Sequence, residues 1–305
     1  MTTKVLFILL FAGGIFVENV LLLKIASFNV QNFGRRKLDD AFVATTLTEI
    51  VREFDFIFIQ EILDGDALSR LQGMVSGHAP NDPFICNTGN PHGTSRSHME
   101  RYGYCYRPRE LTVLESFEWN GTEFTYPPCA LRLKPRDSCL PEFGFIGAHL
   151  RPSRGRGDRI TPREMESLYG VHAYLSKTWS MKNFILAGDF NADKPYMTEA
   201  ELEQTSLRKN QSFEWFIEDG ERTNLGLTAH TYDRVIGIGD ELLKKVTDRR
   251  VFIFKQNRAQ ARRVSDHYPV YITLDARSLP SWLLTELSRL SKKRKFGDIF
   301  STFSV

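Results

Sequence analysis

No two cysteines of this 305-residue chain stand in a C-x-x-C pair, so the ligand spacing of a structural zinc site is missing. There is no internal repeat and no low-complexity tract, which excludes solenoid arrays and linker-type proteins. Beyond the first twenty residues no run is long and apolar enough to span a bilayer, which excludes a multi-span membrane protein. A strong overall charge is also lacking. The net value is +3, and even that is unevenly placed. From Arg277 to Val305 six basic residues stand against Glu286 and Asp298, so the tail carries +4 and residues 1–276 sum to −1. The positive charge belongs to the tail, as in proteins with an interaction tail.

What is present suits a globular protein. With 42% hydrophobic residues and 23 Phe, the chain can bury a large core. The start, MTTKVLFILLFAGGIFVENV, puts Lys4 before an uncharged apolar stretch, Val5 to Val17. That is short for a membrane span and fits a secretory leader over about residues 1–22; an uncleaved anchor is the other reading. The four cysteines, Cys86, Cys105, Cys129 and Cys139, permit three pairings in a secreted chain. Cys86 and Cys105 lie in aromatic, apolar runs (DPFICN and RYGYCYRP), which makes a link between neighbouring strands reasonable; Cys129 and Cys139 would then close a local loop. Asn120-Gly121-Thr122 and Asn210-Gln211-Ser212 are glycosylation sequons, usable in a secreted chain.

Hydrophobic periodicity predicts strands at Leu22 to Val30, Phe56 to Gln60, 83–87, 102–106, 111–118, 129–134, Phe143 to His149 and 184–187. Further runs lie at 213–217, Tyr232 to Ile236, 251–254 and 268–274. Helices are predicted at Asp40 to Phe54, Asp66 to Val75 and Pro162 to Thr178. Helices alternating with fully apolar strands argue for an α/β protein with buried sheets. Again and again a strand stops at a polar residue: Asn29, Glu61, His149, and Asp189 with Asn191. Strand ends along one rim are where α/β proteins build sites.

Asn29, Glu61, Asp189, Asn191 and Asp266 are hard oxygen donors, suited to Mg²⁺, Mn²⁺ or Ca²⁺ and not to a soft metal. A cation so held polarises a phosphoryl oxygen. His149 and His267 are the nitrogen partners, and each needs a carboxylate to fix its tautomer. Glu100 and Asp233 are the candidates. Two His–carboxylate pairs beside oxygen donors make a hydrolytic site for a phosphate ester, one imidazole activating water and the other serving the phosphorus or the leaving oxygen. His78, His92, His172 and His230 receive no role, and His172 falls on the apolar side of its helix.

KIASFNVQNFG, FIQE, MERYGYCYRP, GAHLRP, LAGDFNAD, TYDR and SDHYPV follow one another in this order. The series resembles the successive motifs of the DNase I family, within the endonuclease/exonuclease/phosphatase superfamily, from about Leu23 to Leu274. The resemblance implies a four-layer α/β sandwich with two central mixed β-sheets between helices, in one domain over residues 23–276. It implies metal-dependent endonucleolytic cleavage of DNA to 5′-phosphate ends. By the resemblance Glu61 is a metal ligand supported by Asn29 and Asp266, and Asp189 and Asn191 serve the phosphate and a second metal. His149 with Glu100 and His267 with Asp233 are the catalytic pairs, and Tyr196 and Tyr232 lie near the DNA backbone. The expected cofactor is Mg²⁺ or Mn²⁺, with Ca²⁺ as an addition, and the expected partner is DNA bound by a monomer.

Several family features are missing. Leu63 and Tyr126 stand where the family has DNA-binding arginines, and His98 replaces a tyrosine. The positions of the family's structural disulfide fall on Lys194 and His230. The calcium-binding carboxylate upstream of Thr228 falls on Arg222. A compensating feature is LRPSRGRGDRITPRE after His149, with Arg151, Arg154, Arg156, Arg159 and Arg163 against Asp158 and Glu164. Arginine forks suit phosphate oxygens, so this loop is the expected DNA grip, against a solvated loop as the bland reading. The tail (277–305) places Trp282, Leu283, Leu287 and Leu290 on one helical face before SKKRK. It reads as an amphipathic helix engaging nucleic acid or anionic lipid, as a nuclear-import-type cluster, or as a solvated tail. In kind it resembles the basic tail of the DNase gamma branch. Two other function classes stand beside the secreted endonuclease: a lipid-directed phosphodiesterase of the same superfamily, such as a sphingomyelinase, and a nucleic-acid binder that keeps only the fold.

Overall fold

Continuous apolar runs need cover on both faces, and here two sheets packed together, with helices on the outer face of each, supply it. The computed structural model describes residues 6–11, 14–19, 22–95, 99–155, 157–254 and 257–276; the basic tail, Arg156 and His98 lie outside them. Within the expected leader, β1 (Leu6–Phe11) and β2 (Gly14–Asn19) pair as a separate antiparallel hairpin. The main body opens with β3 (Leu22–Phe33), α1 (Ala41–Arg52), β4 (Phe56–Ile62), α2 (Gly65–Gly77), β5 (Ile85–Thr88), β6 (His92–Gly93) and β7 (Met99–Tyr106). Then come β8 (Leu111–Glu118), β9 (Cys129–Pro135), β10 (Phe143–Gly147), α3 (Ile160–Thr178), β11 (Phe184–Asp189), α4 (Glu199–Gln204) and α5 (Ser206–Lys209). The chain closes with β12 (Phe213–Trp215), β13 (Asp233–Ile238), α6 (Asp240–Leu243), β14 (Val246–Val251), α7 (Arg258–Val264) and β15 (Val270–Asp275).

One sheet has the order β14-β15-β3-β4-β7-β5, with β6 added on β7; the other runs β12-β13-β11-β10-β9-β8. The pairs β3–β4 and β10–β11 are parallel and the remaining pairs antiparallel, so both sheets are mixed. Alternation along the strands makes four layers. In β4, Phe56 and Phe58 point to the core between the sheets, while Ile57 and Ile59 meet Val43, Leu47, Leu71 and Val264 of α1, α2 and α7. In β11, Ile185 and Ala187 face the other sheet, while Phe184 and Leu186 pack on Met165, Leu168 and Leu175 of α3. Gly147 lies on an inner face because a Cβ there would sit 2.3 Å from the Phe58 ring. Asp40 caps α1 by accepting from Phe42 and Val43 N–H, which is why that helix starts where its acidic residue stands.

Two expectations need correction. The last edge strand is β14 at 246–251, not 251–254: its polar alternation VTDRRV hid it, while the apolar Phe252 and Phe254 pack on the core from a loop. Cys86 and Cys105 do form a disulfide, directly opposite each other on β5 and β7, but Cys129 and Cys139 are free thiols. Cys129 is spent as a core residue between the sheets. The short helices α4 to α7 carried no periodic signal, being at most seven residues long.

Candidate active site

Strand ends from both sheets meet on one rim. Asn29 pairs in register with Gln60 in the first sheet, and Asp189 pairs with Asp233 in the second. Gln60 joins the sheets: its Nε2 donates to Ser27 Oγ (2.6 Å) and its Oε1 accepts from Asp189 N–H (3.1 Å). Asn29 reaches across as well, its Nδ2 donating to Glu61 Oε1 (2.8 Å) and Asp189 Oδ2 (3.1 Å). Its Oδ1 accepts from Gln31 N–H, so the amide acts toward the carboxylates as a donor. Gly188 precedes Asp189 because any side chain there would collide with Ala148 O.

Two His–carboxylate pairs face each other across Asp189. His149 Nδ1 lies 2.7 Å from Glu100 Oε1, and His267 Nδ1 lies 2.7 Å from Asp233 Oδ2. The opposite nitrogens converge: His149 Nε2 is 3.6 Å and His267 Nε2 3.5 Å from Asp189 Oδ2. Burial alone would depress His149, but Glu100, with Asp189 and Glu61 behind it, outweighs this and raises it to about 10. His267 is raised in the same way, burial being outweighed by Asp233, Asp189 and Asp266.

The pairs are themselves held. His149 N–H donates to Tyr102 Oη (2.9 Å), whose hydroxyl donates to Tyr126 O, and the Tyr126 ring stacks on the His149 imidazole at 5.3 Å and 11°. Thr223 Oγ1 accepts from Asp233 N–H, and Ser265 Oγ accepts from His267 N–H while donating to Asn29 O. Neither hydroxyl, nor Tyr102, nor Gln60, was singled out from the sequence. Gln60 alone had a signal, a polar residue inside the apolar run FIFIQ. Lys37 also went unmarked: its Nζ donates to Val30 O and Gln31 O, and burial pushes it down to about 8 against the pull of Glu61 and Asp266.

A cleft of about 480 Å³ opens over the rim, lined by Glu61, Glu100, His149, Asp189, Asn191, Asp266 and His267. Asn29 and Asp233 lie behind it, almost fully buried. Asn191 anchors its Nδ2 on Leu150 O (2.8 Å), leaving its Oδ1 to the cleft. Tyr196, Arg151 and Arg154 line the cleft too, whereas Tyr232 packs behind Tyr196 (5.2 Å) and against His267 (6.2 Å). Arg156 lies outside the described residues. The arginine loop is tied down: buried Glu164 accepts from Arg151 N–H, Thr161 Oγ1 accepts from Ser153 N–H, and Asp158 accepts from Arg154 N–H. A larger cavity of about 840 Å³ opens at the other end of β11 and β13, beside Asn183 and Gly239, and holds none of these groups.

The donor set suits a hard divalent cation. Glu61, Glu100 and His149 bring ligand atoms within 4.8 Å of one another, as do Asp189, Asp233 and His267. Burial raises Glu100 and Asp266 and lifts Asp233 to about 6, with neighbouring carboxylates adding to each. Oxygen donors crowded by like charge are relieved by a cation. The loop at 222–228 is different. Arg222 donates from Nε to Asn224 O (3.1 Å) and from Nη2 to Gly226 O, so a guanidinium engages the carbonyls and the residues do not fit a calcium ion there. At the absent disulfide's positions, His230 stacks on Tyr232 (4.9 Å, 13°) and its Nδ1 lies 3.4 Å from Asp193 Oδ2.

Matching the Endonuclease/Exonuclease/phosphatase family over residues 26–267, the chain belongs to that family. It is 31% identical to deoxyribonuclease-1 of Bos taurus over 287 residues, covering 89% of this chain and 99% of that protein. It is 30% identical to deoxyribonuclease-1-like 1 of Homo sapiens over 280 residues, 88% of this chain and 90% of that one. These relatives make it a deoxyribonuclease I-like hydrolase. Solved structures share the fold: a humanised D. rerio TDP2 (TM-score 0.61, 15% identity, 83% of this chain and 98% of that chain) and the human Nocturnin catalytic domain with bound sulfate (0.59, 13%, 83% and 93%).

Proposed function

We propose that the protein is a secreted, divalent-cation-dependent endonuclease that hydrolyses DNA phosphodiester bonds to 5′-phosphate ends. The observation that carries this is the pair of imidazoles, each backed by a buried carboxylate at 2.7 Å, facing one another over Asp189 at the floor of an open cleft. With the pull of the carboxylates that raise both rings offset by a cation among them, one Nε2 removes a proton from the attacking water, and the other protonates the leaving O3′. Nδ1–H on each ring is committed to Glu100 or Asp233, which fixes the tautomer and stabilises the imidazolium. A cation held by Glu61 and Asp266, with Asp189 and Asn191 as further oxygen donors, supplies stabilisation of charge on the phosphoryl oxygens. Asn29 supports Glu61 rather than facing substrate.

Substrate grip falls to Arg151 and Arg154, with Arg156 beside them in sequence, and to Tyr196, with Tyr232 as its backing. The tied loop presents the first two to the cleft where Leu63 and Tyr126 offer no positive charge. Secretion is supported by the apolar stretch 5–17, the Cys86–Cys105 disulfide and the two sequons. The basic tail is a second, cationic contact for an anionic partner, nucleic acid or lipid, and the chain acts as a monomer. The test is the end chemistry on a labelled duplex. The account expects 3′-hydroxyl and 5′-phosphate products with Mg²⁺ or Mn²⁺; release of phosphocholine from sphingomyelin vesicles with DNA left intact would favour the lipid-directed reading.

A further inference from the structure

The backbone beside the site is held in a conformation that L residues avoid. β3 and β4 pair in register from Ile25 with Phe56 to Asn29 with Gln60, then break, and resume only at Phe33 with Ile62. In the gap Gln31 (φ 48°), Asn32 (φ 52°) and Glu61 (φ 59°) are left-handed, and none is glycine. Each such residue costs on the order of 1 kcal/mol, so the surroundings must hold it there. The bulge grips the site from one side: Gln31 N–H donates to Asn29 Oδ1 (2.9 Å), and Asn32 N–H donates to Glu61 Oε2 (2.8 Å). Its carbonyls are gripped from the other. Val30 O accepts from Lys37 Nζ at 2.5 Å, and Gln31 O accepts from the same ammonium. Lys37 reaches in from the tight turn Arg35–Asp39, which follows β3 directly.

We propose that Lys37 is a positioning residue for the divalent cation: by clamping the Val30 and Gln31 carbonyls it fixes the bulge whose amides aim Glu61 and Asn29. The inference rests on the metal-dependent reading above. Its sign distinguishes it from simple electrostatics. An ammonium near Glu61 and Asp266 repels a cation, so removing it should tighten metal binding if charge were its whole effect. Loss of a clamp on the residues behind a ligand weakens metal binding instead, typically by 10–100-fold.

The experiment is calorimetric titration of the full chain with Mn²⁺, for wild type, Lys37→Met and Lys37→Arg. Lys37→Leu, likewise without a donor, takes the place of the Met variant if that one does not fold. Lys37→Met should weaken Mn²⁺ binding by about tenfold or more, Lys37→Arg should recover most of the loss, and added Mn²⁺ should restore the nicking rate of the Met variant. A lower melting temperature with an unchanged or tighter Kd would make Lys37 a structural brace only and overturn the proposal. Wild type that binds no Mn²⁺ would overturn the metal reading itself, and this inference with it.

Discussion

Each imidazole of the site is defined by the atom behind it. Glu100 and Asp233 commit Nδ1 of His149 and His267 and leave Nε2 to the cleft. Glu100→Gln and Asp233→Asn should each lower the plasmid-nicking rate by about 10²- to 10⁴-fold with little loss of DNA binding. A rate within threefold of wild type would remove that carboxylate from the mechanism. His172 gives the contrasting case. Both ring nitrogens are buried without partners among the edges of Phe184 and Phe213, and burial lowers its pKa from 6.5 to about 4. The folded state therefore holds it neutral, while the unfolded chain takes up a proton below pH 6.5. Its contribution to stability is complete above that pH and is lost as pH falls toward 4. His172→Phe should flatten the acid limb of melting temperature against pH, and an unaltered slope would contradict this. The chain announced Glu61, His149 and Asp189 because each ends an apolar run, whereas Glu100, Asp233, Asp266 and His267 precede or open their strands and stood out only through the ordered motifs. Tyr102, Thr223, Ser265 and Lys37 stayed silent, since their importance lies in partners distant in sequence.

At the scale of elements, two arginines hold loops in place. Arg234 of β13 is almost fully buried; its Nη2 donates to Ala192 O (3.0 Å), its Nη1 to Ile217 O (3.1 Å), and Asp219 pairs with it at 2.7 Å. It thereby fixes the turn that carries Asn191. Arg234→Met leaves two carbonyls without donors, at a cost of about 2–3 kcal/mol, seen as a melting temperature lower by about 6 °C. A fall of less than about 1 °C would show that the turn holds itself. Arg222 holds the 222–228 loop by its two carbonyl contacts. Chelation of Ca²⁺ by EGTA should therefore leave the melting temperature and protease resistance of this loop unchanged, whereas Arg222→Ala should open it to cleavage. Ca²⁺-dependent protection in the wild type would contradict this. Strands buried on both faces, such as β4 and β11, were legible as apolar runs. β14 was not, because an edge strand exposes alternate polar residues, and the bulge after Asn29 was not, because no glycine marks its left-handed turns.

Over the whole molecule, the two-sheet sandwich follows from many strands whose odd and even residues face different cores. Apolar runs alternating with helices were enough for an α/β protein with buried sheets; the two-sheet sandwich came through the resemblance carried by the ordered motifs, and the order in which the strands pair was legible in neither. The cleft lies where both sheets end, so its charge is a property of the assembly. Its carboxylates are balanced at the rim by Arg151 and Arg154. Replacing both by Ala should weaken DNA binding and reduce the slope of log K against log salt by about 1–2; an unchanged slope would return the loop to the solvated reading. The central claim is a metal-dependent phosphodiester hydrolase built on that rim. Its most direct test is nicking of supercoiled plasmid by wild type and His149→Ala with Mg²⁺, with Mn²⁺ and with EDTA. Nicking by wild type with either cation, abolished by EDTA and lost in the variant, is the predicted result; no nicking by folded wild type with any cation, or equal nicking by His149→Ala, would contradict the account.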